Sequence, residues 1–228
     1  MIRRRTARFL GEETGAALTE MAIVMTIVIM TLAAFVELVF MVFTWNVATK
    51  SLQYGSRLAS ISNPVDPAVT TTLTGGTPGD PVAFGTFTTR TCVGTATAAR
   101  TMTGTCNGAG FSADQEQAMR RIMFGGDYDG ARSCSVPSSS WEQIGMCDIL
   151  PALFNPGSAN PPRIRVTYAD GGLGYYDRPN GGVPIITISI EDLAFDLPVL
   201  GGLLGLAGIT YPAFTISSVG EDLSETRS

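Results

Sequence analysis

The chain has 228 residues, enough for one modest domain beside a membrane anchor, and it contains no histidine. Histidine is the commonest general base and metal ligand. We therefore predict that the protein is not an enzyme and that it has no catalytic residue, no metal site and no cofactor. Residues 46–228 carry 11 basic and 16 acidic side chains, and such a domain repels a polyanionic backbone, which argues against nucleic-acid binding.

The first predicted element is an apolar segment that follows a basic amino terminus. Four arginines lie within the first eight residues, whereas Met21–Val36 contains no charge, and after Glu37 the apolar pattern resumes. A membrane-spanning helix needs about 20 apolar residues, and Met21–Phe43 meets that length. The positive-inside rule then places residues 1–15 in the cytoplasm and residues 46–228 outside, as in a bacterial inner-membrane protein with a single span.

An ordinary cleaved signal peptide is the alternative for this segment. The apolar core of a signal peptide is about 7–15 residues long, shorter than the run in this chain. No cleavage site made of small residues follows closely, because residues 40–46 are bulky. Trp45 also lies where an interfacial aromatic residue belongs. We therefore favour an anchor that stays in the membrane.

The membrane helix is expected to continue outside the bilayer. Apolar and small residues recur there with the spacing of one helical face: Val47, Ser51, Tyr54, Leu58 and Ile61. Asn63-Pro64 then ends the helix. We predict one long helix over residues 16–62, followed by an exoplasmic head over residues 63–228.

The head combines helical and strand patterns and is predicted to be an α+β domain with an antiparallel sheet. Residues 63–82 are rich in Pro, Thr and Gly and favour a loop, with one short helix starting at Asp66-Pro67. A capping-box pattern at Ser112–Gln115 predicts a helix over residues 113–124 that stops at Gly125. The predicted strands are Gly85–Val93, Arg163–Tyr168, Val183–Phe195 and Thr210–Val219.

Between the last two strands lies an apolar, glycine-rich segment, Leu197–Leu206. An exposed apolar loop is typical of a surface that contacts a partner or a membrane. Folding back onto the sheet is the alternative for this segment.

Four cysteines lie in the predicted head: Cys92, Cys106, Cys134 and Cys147. They contain no CxxC pair, and without histidine a zinc site would need all four thiolates at unusual spacings. An even number in an exported domain predicts disulfides, and four cysteines allow three pairings. Our hypothesis is the sequential pairing, which closes two short loops. Four buried or partly free thiols are the alternative.

Three short motifs in the head predict no chemistry. Asp127–Gly130 resembles part of a calcium loop but lacks the remaining ligands, so it favours a turn. Gly171–Gly174 has no predicted helix after it to bind phosphate, and Ser138–Ser140 has no histidine to activate a hydroxyl.

An acid opens the apolar run at Glu20. A lone carboxylate in lipid costs about 2.5–3.5 kcal/mol and is usually paired. No Lys or Arg lies in residues 16–49, so the partner must come from another chain, a headgroup or a newly made amine. Hydration at the cytoplasmic interface is the alternative. Glu37 lies about 25 Å further along a helix and is expected to reach the outer headgroups, with an intersubunit role as its alternative.

The residues before this acid, Gly15-Ala16-Ala17-Leu18-Thr19-Glu20, resemble the processing site of type IV pilins and pseudopilins. That site has a charged leader, a glycine after which the chain is cut, and glutamate as the fifth mature residue. The resemblance implies cleavage between Gly15 and Ala16, which would give Ala16 a free α-amino group. It also implies that Glu20 neutralises this amine on a neighbouring subunit.

The closer resemblance is to the TadE family, pseudopilins of tight-adherence (Tad, Flp) pilus machines. The matching residues are the run Gly15–Ala22, which reads Gly-Ala-Ala-Leu-Thr-Glu-Met-Ala, and the small-residue segment Asn46–Ala59. Glu37 matches a glutamate that is frequent late in the apolar run of that family. Met21 stands in place of the usual phenylalanine. The long head with four cysteines leaves TadE, TadF-like and TadG-like subtypes open.

This resemblance implies a pilin-like fold and a minor pilin or pseudopilin that takes part in assembling or priming a Tad-type pilus. The implied partners are the inner membrane, a prepilin peptidase, other pilins or pseudopilins and the pilus assembly platform. The chain would be the substrate of the peptidase. An uncleaved, membrane-anchored periplasmic binding or adhesion module of a secretion apparatus is the alternative function.

Overall fold

The structure is a computed structural model of the chain. It describes residues 13–70, 76–83, 85, 88–125, 134, 144–176, 182–195, 197, 199, 201, 202 and 209–220. The chain divides into two compact units. The first, called the anchor unit, contains Met1–Phe43 and Asp196–Ile209, and the second, called the head unit, contains Thr44–Phe195 and Thr210–Ser228.

One helix, α1, runs from Glu13 to Ile61. By length and composition it is apolar and long enough to cross a membrane once. The predicted continuation beyond the apolar run is confirmed. The helix ends just before Asn63-Pro64, because proline disfavours the helical conformation of the residue that precedes it.

The buried face of α1 within the head unit differs from the predicted one. Tyr54 and Ile61 were expected to be buried, but both are exposed. The buried residues are mostly small: Ala48, Ser51, Leu52, Gly55, Ser56 and Ala59. Small side chains let a helix backbone approach its neighbour closely, and this contact distance outweighs the bulkier apolar stripe.

Gly55 and Ser51 show how close this approach is. A Cβ atom at Gly55 would lie 2.8 Å from Cγ of Met146. The Ser51 hydroxyl donates a hydrogen bond to the carbonyl oxygen of Met146 at 2.9 Å, so a buried polar side chain is satisfied by backbone. The second half of α1 is therefore fixed to the short helix that begins at Met146.

The head unit is built around a six-stranded antiparallel sheet with the strand order β3-β2-β1-β4-β5-β8. Two very short strands, β6 and β7, form a separate pair. The bounds are β1 Arg90–Ala96, β2 Met102–Cys106, β3 Ala109–Gly110, β4 Arg163–Gly174, β5 Gly182–Glu191, β6 Ala194–Phe195, β7 Ile209–Thr210 and β8 Phe214–Val219. The predicted α+β class with an antiparallel sheet is confirmed.

One face of this sheet is buried, as the alternation of apolar residues predicts. On β4 and β5 the buried residues lie directly opposite one another, with Val166 opposite Ile188 and Tyr168 opposite Ile186. The other face carries charge, where the Arg165 guanidinium donates to both carboxylate oxygens of Glu191. The strands β4 and β5 therefore show which face of the sheet lies inside the head and which lies outside.

Several strand boundaries differ from the predictions. β1 starts at Arg90, five residues later than predicted, and β4 continues to Gly174 past a bulge between Asp170 and Leu173. The predicted strand Val183–Phe195 breaks at Asp192, whose φ of 59° is left-handed. The last predicted strand is interrupted at residues 211–213, because Pro212 has no N–H to donate to a ladder.

The short helices of the head follow their capping residues. α2, Ala113–Phe124, has the predicted capping box: Gln115 N–H donates to the Ser112 hydroxyl, and the Gln115 side chain accepts from Ser112 N–H. α3, Met146–Ile149, was not predicted; the Asp148 carboxylate accepts from Gly145 N–H at its start. The short helix predicted at Asp66-Pro67 is a 3₁₀ turn, Pro67–Thr70, and a second one is Pro151–Leu153.

Both disulfides follow the sequential pairing. Cys92–Cys106 joins directly opposed residues of β1 and β2, and Cys134–Cys147 ties residue 134 to α3. The expectation of two short closed loops is confirmed. Each crosslink lowers the entropy of the unfolded chain and so stabilises the head.

A polar network lies at the buried end of β4. The hydroxyl oxygen of Tyr168 accepts a hydrogen bond from Val65 N–H at 2.9 Å. Nearby, the Asp66 carboxylate accepts from the Asn107 amide at 2.7 Å and forms an ion pair with Arg90. Burial raises the pKa of Tyr168, and the negative charge of Asp66 raises it further, while the hydrogen bond from Val65 opposes the shift.

Replacing Gly55 by leucine is expected to destabilise the head. The added side chain overlaps Met146, and overpacking costs about 1–3 kcal/mol, of which up to about 1 kcal/mol is offset by better helix propensity. Urea unfolding of the detergent-solubilised protein measures the change. The matched control is Gln53→Leu at an exposed neighbouring position, which should change stability by less than about 0.5 kcal/mol. Equal stability of the two variants would contradict the close approach at Gly55.

Stability is expected to fall at alkaline pH through Tyr168. Its folded-state pKa is above the unfolded value of about 10, so the folded state keeps the proton longer and stability is lost as the pH rises above about 10.

In Tyr168→Phe this loss should be shallower. The variant should also be less stable at neutral pH by about 1–3 kcal/mol, because Val65 N–H loses its acceptor. Unfolding free energies measured between neutral pH and pH 11 test this, with Tyr175→Phe, an exposed tyrosine, as the control. An unchanged alkaline slope in Tyr168→Phe would show that another group titrates.

Candidate functional site

The predicted processing site lies at the start of α1. Gly15 is exposed, and among the described residues no atom beyond the backbone of α1 comes within 4 Å of the position that a Cβ would take. The first four N–H groups of a helix have no intrahelical acceptor, so its first turn unwinds at little cost. The peptide bond between Gly15 and Ala16 is therefore in a part of the helix that can open locally.

Glu20 is exposed on α1, one turn beyond Ala16. Its neighbours along the helix, including Leu18, Met21 and Ile23, are apolar and at least 62% exposed. Within the described part of the chain the Glu20 carboxylate has no hydrogen bond or ion pair. The structure therefore leaves this acid facing outward on an apolar surface, where a counter-charge from outside the chain would have access to it.

The surface around Glu20 and Glu37 is apolar and largely exposed. Between Ala17 and Phe43 the exposed side chains are almost all apolar. Thr26 donates its hydroxyl proton to the carbonyl of Ala22 at 2.8 Å, so that this polar group is satisfied inside the helix. Partial or full burial in this stretch is confined to one helical face: Met30, Ala33, Ala34, Glu37 and Met41.

Glu37 lies in the middle of that face and is only 3% exposed. Its Oε1 accepts a hydrogen bond from the backbone N–H of Val199 at 2.6 Å. The prediction that Glu37 reaches the outer headgroups is therefore wrong. Val36 and Leu38 on either side are more than half exposed, so the acid is buried by its own chain within an exposed apolar surface.

Val199 belongs to the glycine-rich segment Leu197–Leu206, of which residues 197, 199, 201 and 202 are described. Gly201 N–H donates to the carbonyl of Leu197 at 3.0 Å, which closes one tight turn. The backbone of this turn is bonded to α1 within the anchor unit. The Val199 side chain is 51% exposed.

Sequence reasoning found both partners of this contact but not the contact itself. A signal was present: an acid inside an apolar run needs a donor, and the uncharged segment offers backbone N–H groups. Glu37 and Val199 are 162 residues apart in the sequence. Their hydrogen bond could not be predicted, since no spacing rule connects positions so far apart.

Aromatic residues cluster where α1 leaves the apolar run. The Trp45 ring packs edge-on against Phe214 with 4.6 Å between centroids and against Tyr211 at 6.1 Å, and Tyr211 also contacts Phe195. Burial raises the pKa of Tyr211, while its hydrogen bond with Thr44 lowers it in part. Trp45 stays 45% exposed, as the predicted interfacial position requires.

Three acids of the head, Asp170, Glu191 and Asp192, have partners close by. Arg163 forms ion pairs with both Glu191 and Asp192, and the Asp170 carboxylate accepts from Gly172 N–H in the bulge of β4. Among the described residues no group of three or more His, Cys, Asp or Glu side chains could hold a metal ion. The motifs Asp127–Gly130 and Ser138–Ser140 lie outside the described residues.

Comparisons of the chain with models of protein families, with curated proteins and with solved structures found no match. The resemblance to the TadE family thus stays a prediction that depends on Gly15–Ala22 and Asn46–Ala59. The proposed function depends on α1, on its acids Glu20 and Glu37, and on the head unit.

Proposed function

We propose that this protein is a minor pilin or pseudopilin that takes part in assembling or priming a Tad-type pilus. The observation that carries the proposal is Glu20, an outward-facing carboxylate on a lipid-facing helix, five residues after a glycine at an exposed first turn. A buried charge without a counter-charge strongly favours the one docked arrangement that neutralises it. Glu20 would therefore select how neighbouring subunits dock.

The counter-charge in this proposal is the α-amino group of Ala16 on a neighbouring subunit. A prepilin peptidase would create this amine by cutting after Gly15, and the cut would also remove the four leader arginines. The position of Gly15 in the first turn of α1 supports this role, because the bond can reach an extended conformation after little unwinding. The catalytic groups belong to the peptidase.

The location in this proposal is the bacterial inner membrane, with the leader in the cytoplasm and the head on the exoplasmic side. The arginines before the apolar run support that orientation. The two disulfides support an oxidising compartment for the head. Other pilins or pseudopilins and the pilus assembly platform would be its partners.

An uncleaved, anchored binding or adhesion module would share the same span and head. The two functions differ at the mature amino terminus and in the need for Glu20.

The mature chain is expected to begin at Ala16. Mass spectrometry of the protein isolated from membranes, with and without the peptidase, measures this directly. Gly15→Leu should block processing, because a bulky side chain replaces the residue at the cut. Gly11→Leu, a change of the same kind elsewhere in the leader, should leave processing intact. An unprocessed wild-type chain that begins at Met1 would favour the anchored module.

Glu20→Ala is expected to reduce piliation by at least about tenfold, because the amine of Ala16 on the neighbouring subunit would lack its counter-charge, and a lone charge in lipid costs about 2.5–3.5 kcal/mol on insertion scales. Counting fibres by electron microscopy measures the effect, and urea unfolding shows whether the head is unchanged. Glu13→Ala, within the leader that cleavage removes, is the matched control and should assemble normally. Normal piliation by Glu20→Ala would refute the pairing.

A further inference from the structure

The anchor unit brings together two groups that are each costly in lipid. Glu37 places a carboxylate on a surface whose neighbouring side chains, Val36 and Leu38, are 54% and 58% exposed. Val199 brings a backbone N–H from a loop, and a loop cannot satisfy its backbone within a bilayer as a helix does. The hydrogen bond of 2.6 Å between them gives Oε1 of Glu37 a donor and Val199 N–H an acceptor at once.

This bond also fixes the level of the loop along α1. Because Val199 N–H lies 2.6 Å from Oε1 of Glu37, Val199 must be at the same depth as Glu37. Exposed apolar residues continue beyond Glu37 through Val39 and Phe40 to Phe43. The apolar surface therefore extends about 9 Å further along the helix axis than Glu37, and the turn lies beside it.

The turn itself presents an apolar surface. Val199 is 51% exposed, and a Cβ at Gly202 would meet no atom within 4 Å. The sequence from Leu197 to Gly220 contains no charged residue. The described side chains of the turn carry no polar group, and two of its backbone N–H groups, those of Val199 and Gly201, have acceptors.

We propose that Leu197, Val199, Gly201 and Gly202, together with Glu37, form a membrane-inserted element, which we call the Glu37 clasp. In this element the turn enters the outer leaflet beside α1, Val199 and Gly202 contact acyl chains, and Glu37 is the anchor that holds the turn. The occupant of the exposed apolar surface is thus lipid. Its continuity with the lipid-facing surface of α1 and the lack of charge in the turn favour lipid over a protein partner.

The consequence is a second membrane contact, distant in sequence from the first. The clasp requires α1 to be a membrane span but does not depend on leader cleavage or on a pilus. Processing and piliation can therefore fail while the clasp is upheld, and the reverse also holds.

Photo-crosslinking of the full chain in vesicles tests the lipid contact. A benzophenone amino acid is placed at Val199 or at Gly202, and the protein is reconstituted into vesicles of phosphatidylethanolamine and phosphatidylglycerol. The matched control carries the probe at Thr215, an exposed position of β8. We expect lipid adducts by mass spectrometry at Val199 and Gly202 but not at Thr215. Crosslinks between two chains, or no adduct at either position, would overturn the proposal.

Variants of Glu37 test whether its carboxylate holds the turn against α1. Glu37→Leu removes the acceptor and leaves Val199 N–H unsatisfied in lipid, so the lipid adduct at Val199 should fall at least about fivefold. Elastase cleavage between residues 196 and 209 should become at least about tenfold faster. Glu37→Gln keeps a side-chain oxygen as an acceptor and should stay within about twofold of the wild type in both measurements.

Thr26→Leu replaces an exposed polar residue in the same apolar run and controls for a general effect on α1. It should leave both measurements unchanged. Trp45 fluorescence and the mobility of the disulfide-bonded protein show whether the head is intact in each variant. If Glu37→Leu behaves as the wild type does in both measurements, Glu37 is not the anchor and the clasp is rejected.

Discussion

The constraint on which this structure depends is that a polar group in an apolar surface must find a partner. Glu20 and Glu37 lie on the same apolar stretch of α1, but their surroundings are opposite. Glu37 is buried against the backbone of a distant segment of the same chain. Glu20 faces outward without a partner among the described residues. One acid is thus used inside the molecule, and the other is left available for another molecule.

This difference supports separate roles for the two acids. A carboxylate whose partner is in the same chain organises the fold, since its hydrogen bond forms whenever the chain folds. A carboxylate without an internal partner raises the free energy of a single chain in a membrane. Association with a chain that supplies a counter-charge is then favoured. The proposed pairing of Glu20 with the amine of Ala16 uses that cost to select one arrangement of subunits.

The need for a hydrogen-bond partner also applies to buried polar groups of the head unit. Several of its buried polar side chains are matched with backbone groups, as Ser51 is with Met146, Tyr168 with Val65 and Asp148 with Gly145. The apolar rows of β4 and β5 supply the core, and two disulfides restrict the unfolded chain. The head therefore has its own sources of stability, which is why variants of the membrane acids can be examined without loss of the head.

The elements that could be predicted from the sequence are those set by short-range patterns. The apolar run and its extension predicted α1, the capping box at Ser112 predicted α2 to the residue, and alternation predicted β4 and β5. The sequential disulfides followed from the short loops that they close. In each of these cases the deciding interaction lies within one element or between positions fewer than about 15 residues apart.

Tertiary contacts decided the rest. The buried face of α1 turned to the small residues Ser51, Gly55 and Ala59, and at Ser51 and Gly55 the helix closely approaches Met146. Strand β2 was missed because its Thr and Gly residues show no apolar alternation. The hydrogen bond between Val199 and Glu37 depends on the path of the whole chain between them. The sequence by itself determined where a charge had to be neutralised, whereas only the folded chain decided which partner came within reach, because a hydrogen bond depends on position in space.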